Sequence, residues 1–137
     1  MSTPTVGPIP LLGRSIGSKD TDLAVHEIEE AGHPAGTDPR GIPLHRHRTE
    51  DEAWYVLRGT LRFQFGDREF DATEGEGVLL PHGVPHTFWN PGLGSARYLL
   101  IVRPKTAALL GALHGTEPPD RSTLHELYSK FEADLLE

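Results

Sequence analysis

The feature that most limits the fold is a succession of short β-patterned runs separated by turn residues. The chain has 137 residues, among them 15 Gly and 12 Pro, and this content indicates many turns rather than long helices. Residues 60–65 alternate cleanly between apolar and polar side chains, as in a strand with one buried face. Gly66-Asp67 then supplies a turn, and residues 68–72 return as the second strand of a hairpin.

The same pattern predicts strands on both sides of this hairpin. Further strands are expected at residues 23–28, 53–57, 78–80, 86–89 and 96–102. A dense set of glycines and prolines over residues 31–43 indicates a loop. Strands this short, with no helix between them, predict an all-β barrel or jelly roll.

The two ends of the chain differ from this central part. Residues 1–21 are expected to form an irregular arm, residues 22–103 the barrel, and residues 104–137 a helical segment. Thr123 and Glu126 fit a capping box. A set of apolar residues then repeats at helical spacing: Leu124, Leu127, Tyr128, Phe131 and Leu135. We therefore expect a C-terminal amphipathic helix that packs on the barrel or on a second subunit.

Composition narrows the classes of partner. Twenty acidic residues against 13 basic ones give a net charge of −7, which disfavours a nucleic-acid partner because phosphate binding needs a basic patch. No apolar run approaches the ~20 residues that span a bilayer, and the N-terminus does not resemble a signal peptide. The absence of cysteine excludes disulfides, thiolate ligands and cysteine nucleophiles. We expect a cytoplasmic protein without a membrane partner.

Four residues are candidates for a metal site. His45 and His47 stand two apart, so a strand would place both imidazoles on one face. Glu52 follows after a short polar stretch, and His86 lies on a later strand behind a Pro/Gly loop. Three nitrogens and one carboxylate oxygen suit one divalent transition metal: Fe, Mn, Ni, Co or Zn.

The spacing of these residues resembles the first motif of the cupin family. In that motif two histidines one residue apart are followed by a glutamate and then by a glycine after six residues. His45, His47, Glu52 and Gly59 match this pattern, and the gap to Gly59 selects Glu52 from the neighbouring carboxylates of Glu50 and Asp51, which read as a solvated charge cluster. The leading glycine departs, because Gly41 stands three residues before the first histidine rather than five.

The second cupin motif is matched at every fixed position. It runs from Gly75 through Pro81 and Gly83 to His86 and Asn90. The glycines suit turns with unusual dihedral angles, and the asparagine can bond to the backbone of its own turn. The two motifs cover residues 41–90, and the resemblance implies a cupin double-stranded β-helix that binds a metal through His45, His47, Glu52 and His86.

Strand parity gives a coarse map of a substrate pocket. Phe88 shares parity with His86, and Trp54 and Val56 share parity with Glu52. Either the apolar or the polar face of residues 60–65 also faces inward. A partly aromatic cavity of this kind suits a small organic substrate.

The resemblance suggests an activity and leaves alternatives open. Small single-domain cupins of this type resemble quercetin 2,3-dioxygenase-like proteins, which implies a dioxygenase of a small phenolic or enolisable compound, with Glu52 as both ligand and catalytic base. The first alternative is a non-redox, metal-dependent cyclase or isomerase of polyketide-type substrates. The second is a non-enzymatic module that binds a small molecule, which is disfavoured because 137 residues leave no room for an attached partner domain. The resemblance also implies a homodimer.

Overall fold

The ten strands of the described residues form two antiparallel sheets. The computed structural model describes residues 11–37, 42–114 and 120–137. The strands within them are β1 (Ser15–Ile16), β2 (Ala24–Glu30), β3 (His45–His47), β4 (Glu52–Arg58), β5 (Thr60–Phe65), β6 (Arg68–Thr73), β7 (Gly77–Leu80), β8 (His86–Trp89), β9 (Ala96–Val102) and β10 (Ala133–Leu135). One sheet has the order β1-β2-β9-β4-β7 and the other the order β10-β3-β8-β5-β6. This arrangement confirms the predicted all-β jelly roll.

The core lies between the sheets and follows from the alternation of the strands. Strand β9 buries every second residue, and β5 buries Leu61 and Phe63 completely. Arg62 points away from the core and binds Asp71 on β6, with its Nε 2.7 Å from Oδ1. The apolar face of β5 is therefore the inward one, which settles the alternative that the sequence left open.

The predicted hairpin and turns are confirmed. Strands β5 and β6 pair from Thr60 opposite Thr73 to Phe65 opposite Arg68. Gly59, between β4 and β5, has φ of 78°, and a Cβ there would lie 3.1 Å from the Ala96 Cα. Both the left-handed backbone and the close approach require glycine at this position. Gly41, where the family pattern departs, lies outside the described residues.

Two helices follow the barrel, and the second begins earlier than its sequence predicted. They are α1 (Pro104–His114) and α2 (Arg121–Lys130). Asp120 caps α2 by accepting a hydrogen bond from the Thr123 backbone nitrogen at 2.7 Å. The expected capping box at Thr123 is wrong, because the carboxylate three residues earlier already satisfies that donor. Among the described residues, neither helix has the length and apolar character needed to cross a membrane.

The end of the chain returns to the barrel as a strand. Phe131 closes α2, and Glu132 has a φ of 58°, which stops helical propagation. Strand β10 then pairs antiparallel with β3, and Leu135 lies opposite His45. The prediction that Leu135 continues the helical stripe is therefore wrong, because its backbone joins the edge of a sheet. At the other end, Ser15–Ile16 pairs with β2 within the predicted arm, and the three predicted segment boundaries stay a prediction.

Candidate metal centre

Three histidine side chains meet inside the barrel. Strand β3 presents His45 and His47 on one face, and β8 pairs with it so that His86 lies opposite His45. All three side chains are buried, and each offers a ring nitrogen within 4.8 Å of the others. The alternation of a strand and one antiparallel pairing therefore account for the convergence.

Backbone carbonyls fix the orientation of two of these rings. His45 Nδ1 lies 2.8 Å from the Pro43 oxygen, and His86 Nδ1 lies 3.1 Å from the Val84 oxygen. A carbonyl can only accept a hydrogen bond, so each Nδ1 carries the proton and each Nε2 keeps its lone pair. Metal-binding histidines are held in this way by their second nitrogen.

Glu52 completes the cluster. Its Oε2 lies 3.2 Å from His47 Nε2 and 3.5 Å from His86 Nε2, yet no described residue gives this buried atom a well-directed hydrogen bond. Burial raises the pKa of Glu52, whereas protons or positive charge at the neighbouring His47 and His86 lower it. A bound cation would supply such positive charge, and a buried carboxylate oxygen without a directed donor among the described residues is expected of a group that ligates a cation.

The protonation state of His45 also suits a ligand. Burial, followed by the nearby His86, lowers the pKa of His45 to about 3. The imidazole is then neutral at physiological pH, which is the form that binds metals. Three imidazole nitrogens and one carboxylate fit a divalent transition metal, and the identity of the metal stays open among those expected from the sequence.

Of the two carboxylates beside Glu52, Asp51 is solvent-exposed as expected and Glu50 is not. Asp51 is exposed, and its Oδ1 lies 2.9 Å from both the backbone nitrogen and Nδ1 of His82. Glu50 is 6% exposed and accepts hydrogen bonds from the first turn of α1. The interpretation of Glu50 as a solvated charge is therefore wrong, because a helix that follows far along the chain folds over it.

A mostly apolar cavity of about 330 Å³ opens onto the histidines and Glu52. The barrel contributes a set of wall residues: Ile28, Glu30, Phe88, Tyr98 and Leu100. The helices contribute a second set: Thr106, Leu109, Leu110, Leu113, Leu124 and Tyr128. The sequence did not predict that the helical set lines the cavity. The apolar residues at helical spacing near the C-terminus were the signal that could have indicated it.

The structure separates the three predicted pocket residues. Phe88 lines the cavity. Trp54 and Val56 face inward but lie in the core, and they are not among the described residues around the cavity. The Trp54 ring packs against Phe63, with centroids 5.1 Å apart, and its centroid is 6.2 Å from that of His86. Trp54 therefore packs near the ring of His86 without being among the described residues that line the cavity.

Residues 36–102 match the family described as Cupin domain. A stretch of 53 residues is 34% identical to Mannose-1-phosphate guanylyltransferase 2 of Escherichia coli O157:H7, and it covers 39% of this chain and 11% of that protein. The chain thus spans about a tenth of the length of that relative.

Solved structures show the same fold. A protein from Klebsiella pneumoniae with a double-stranded beta-helix domain superposes with a TM-score of 0.55 at 18% identity, over 69% of this chain and 76% of that one. A sugar phosphate isomerase of the cupin superfamily from Silicibacter pomeroyi superposes with a TM-score of 0.52 at 20% identity, over 61% of this chain and 51% of that one. The family match over residues 36–102, the two sheets and these likenesses together show that the chain has an all-β jelly-roll fold of the cupin type.

Proposed function

We propose that this cupin is a metal-dependent dioxygenase of a small phenolic or enolisable compound. The observation that carries the proposal is the convergence of three histidine nitrogens and the Glu52 carboxylate at one side of an apolar cavity. Small, mostly apolar cavities with a few converging polar groups are the usual form of sites for organic ligands.

The side chains around the cavity have separable roles. His45, His47, His86 and Glu52 would hold the metal, which when bound supplies Lewis acidity and, for Fe, Mn, Ni or Co, redox chemistry with O2. Glu52 would also serve as the base that accepts the proton of a phenol or enol as the substrate enters, because its carboxylate lies beside the nitrogens that would hold the metal. The apolar walls from β8, β9 and the two helices exclude water from the reacting groups.

A second carboxylate in the cavity favours an alternative. Glu30 lines the wall, and its Oε1 accepts a hydrogen bond from the Tyr98 hydroxyl at 2.8 Å. Two carboxylates around one cavity can move a proton from one carbon or oxygen to another without O2. The alternative function is therefore a non-redox cyclase or isomerase in which the metal acts only as a Lewis acid.

Oxygen uptake distinguishes the two functions. Protein purified without a His-tag or chelator is analysed for metal and then assayed with quercetin and a panel of phenols, in air and without oxygen. We expect about one metal ion per chain and oxygen consumption that depends on it. Turnover that continues without oxygen would assign the cyclase or isomerase function. Binding of a panel compound without turnover in either atmosphere would leave a non-enzymatic binding module.

A His86→Ala variant tests the assignment of the metal ligands. It removes one ligand from a position that is 1% exposed, and we expect it to lose both the metal and the oxygen uptake. Full metal content in this variant would show that the four-ligand assignment is wrong.

A further inference from the structure

We propose that Thr106 and Glu50 are positioning residues that orient His47 and tie it to the helix that walls the cavity. The inference rests on the metal site of the proposed function. His47 differs from the other two histidines in what holds its Nδ1, which lies 3.4 Å from the hydroxyl of Thr106 rather than beside a backbone carbonyl.

The hydrogen-bond chain has a defined direction. The Thr106 hydroxyl lies 3.0 Å from Glu50 Oε1, and a carboxylate can only accept, so the hydroxyl proton points to Glu50. The oxygen of Thr106 then offers a lone pair to His47, whose Nδ1 must carry the proton. This leaves Nε2 of His47, 3.2 Å from Glu52 Oε2, as the nitrogen that would bind the metal.

Burial makes this chain specific. Thr106 is 2% exposed and Glu50 is 6% exposed, so water cannot readily replace either partner. Second partners of this kind fix the tautomer and the ring angle of a metal-binding histidine. A carboxylate that acts through a threonine hydroxyl achieves the same here without contacting the ring.

The same carboxylate also anchors α1. Glu50 Oε2 accepts from the Lys105 backbone nitrogen at 3.0 Å, and its Oε1 accepts from the Thr106 backbone nitrogen at 2.7 Å. These are unpaired donors of the first turn of α1, where a negative charge is favourable. Because Leu109 and Leu113 of this helix wall the cavity, one carboxylate sets both the position of the wall and the angle of a ligand.

The first test uses the tautomer of the unaltered protein. We expect nitrogen NMR of the Zn2+-loaded protein at neutral pH to show His47 with its proton on Nδ1. A proton on Nε2 would overturn the inference, and this measurement does not depend on any variant or on catalysis.

The second test uses variants of the threonine. Thr106→Val keeps the shape and removes the lone pair, so we expect Co2+ affinity, measured by competition with a chelator, to fall about 10- to 100-fold. Thr106→Ser restores the hydroxyl and should bind within about threefold of the unaltered protein. The visible spectrum of bound Co2+ should change in the valine variant and return in the serine variant.

Thr87→Val is the matched control. Thr87 is as buried as Thr106, at 3% exposed, but its hydroxyl donates to the Ile42 carbonyl at 2.6 Å and does not contact a histidine nitrogen. Any general loss of packing should appear in both variants, whereas the loss of Co2+ affinity should be confined to Thr106→Val. Equal affinities in all variants would overturn the inference and leave the proposed function intact, and no Co2+ binding by the unaltered protein would overturn both.

Discussion

Asp134 on β10 offers a quantitative test of how strongly the C-terminal strand stabilises β3, the strand that carries His45 and His47. Its carboxylate accepts from Arg46 Nε at 3.0 Å and from Arg48 Nη2 at 2.6 Å. Arg46 lies between the two histidines of β3, and Arg48 follows the second one directly. Asp134→Asn keeps the size of the side chain and removes its charge.

The pKa of Asp134 gives the magnitude. Hydrogen bonds from Arg48 and Arg46 lower it from 3.8 to about 2. At about 1.4 kcal/mol per pKa unit, this shift corresponds to at most about 2.5 kcal/mol of folding free energy. The two arginine side chains are 44% and 42% exposed, so solvent screens the interaction, and we expect a loss of about 1 to 1.5 kcal/mol.

The expected loss has a defined pH dependence. A carboxyl group whose pKa is lower in the folded state stabilises the fold fully above its unfolded pKa, and this contribution disappears as the pH falls through the folded pKa. Asp134→Asn should therefore be less stable at pH 7 and nearly equal to the unaltered protein near pH 2. For a chain of 137 residues the loss at pH 7 corresponds to a fall in Tm of roughly 3 to 5 °C.

Urea unfolding followed by tryptophan fluorescence measures the difference in the free energy of unfolding. Asp51→Asn is the control, because that carboxylate is also ionic but contacts only the exposed His82. We expect the control to leave the urea midpoint nearly unchanged, because solvent screens an exposed ion pair. Equal midpoints for Asp134→Asn and the unaltered protein at pH 7 would refute the reasoning, as would a difference that persists unchanged near pH 2.

Three further predictions concern the site and its frame. His86→Ala should weaken Co2+ binding at least about 100-fold, as measured by chelator competition, and unchanged affinity would remove this residue from the ligand set. Gly59→Ala should lower the free energy of unfolding in urea by about 1 to 3 kcal/mol, because the backbone there is left-handed and Ala96 lies close. Gly66→Ala, with open space at its Cβ, should lower it by less. Equal losses in the two variants would contradict the role of the close approach. Tyr128→Phe keeps the edge-on contact of the ring with His45, with centroids 5.4 Å apart, so the Co2+ affinity should not change. The KM for the phenol identified by oxygen uptake should rise about 2- to 10-fold because the hydroxyl is lost. An unchanged KM would exclude the hydroxyl from substrate binding.

The convergence of the three histidines could be predicted because it depends on strand alternation and on the spacing of the two sequence motifs. A two-residue interval on a strand puts His45 and His47 on one face whatever the rest of the chain does. The turn at Asn90 was likewise predictable, and its side chain bonds to the backbone of Gly92 and Gly94 as expected. Alternation on β5 predicts two different faces, but the sequence left open which of them turns inward, and the burial of Leu61 and Phe63 answers this.

The surroundings of the cluster depend on contacts between residues far apart in the chain. Glu50 has the same local sequence character as Asp51, and only the arrival of α1 buries it and gives it a role. Strand parity predicts that the Trp54 side chain faces inward. Its position along the barrel, which places it away from the cavity wall, depends on its packing against β5 and β8.

The sequence by itself determined the sheet architecture and the candidate ligand set, because strand alternation, turn glycines and motif spacing are properties of short segments. Only the tertiary structure determines the conformation of the C-terminal segment. Residues 133–135 leave the helical pattern because their backbone groups pair with those at the edge of β3. The same return of the chain brings α2 and Tyr128 against His45, and so a cavity wall that no local pattern locates is built beside the predicted ligands.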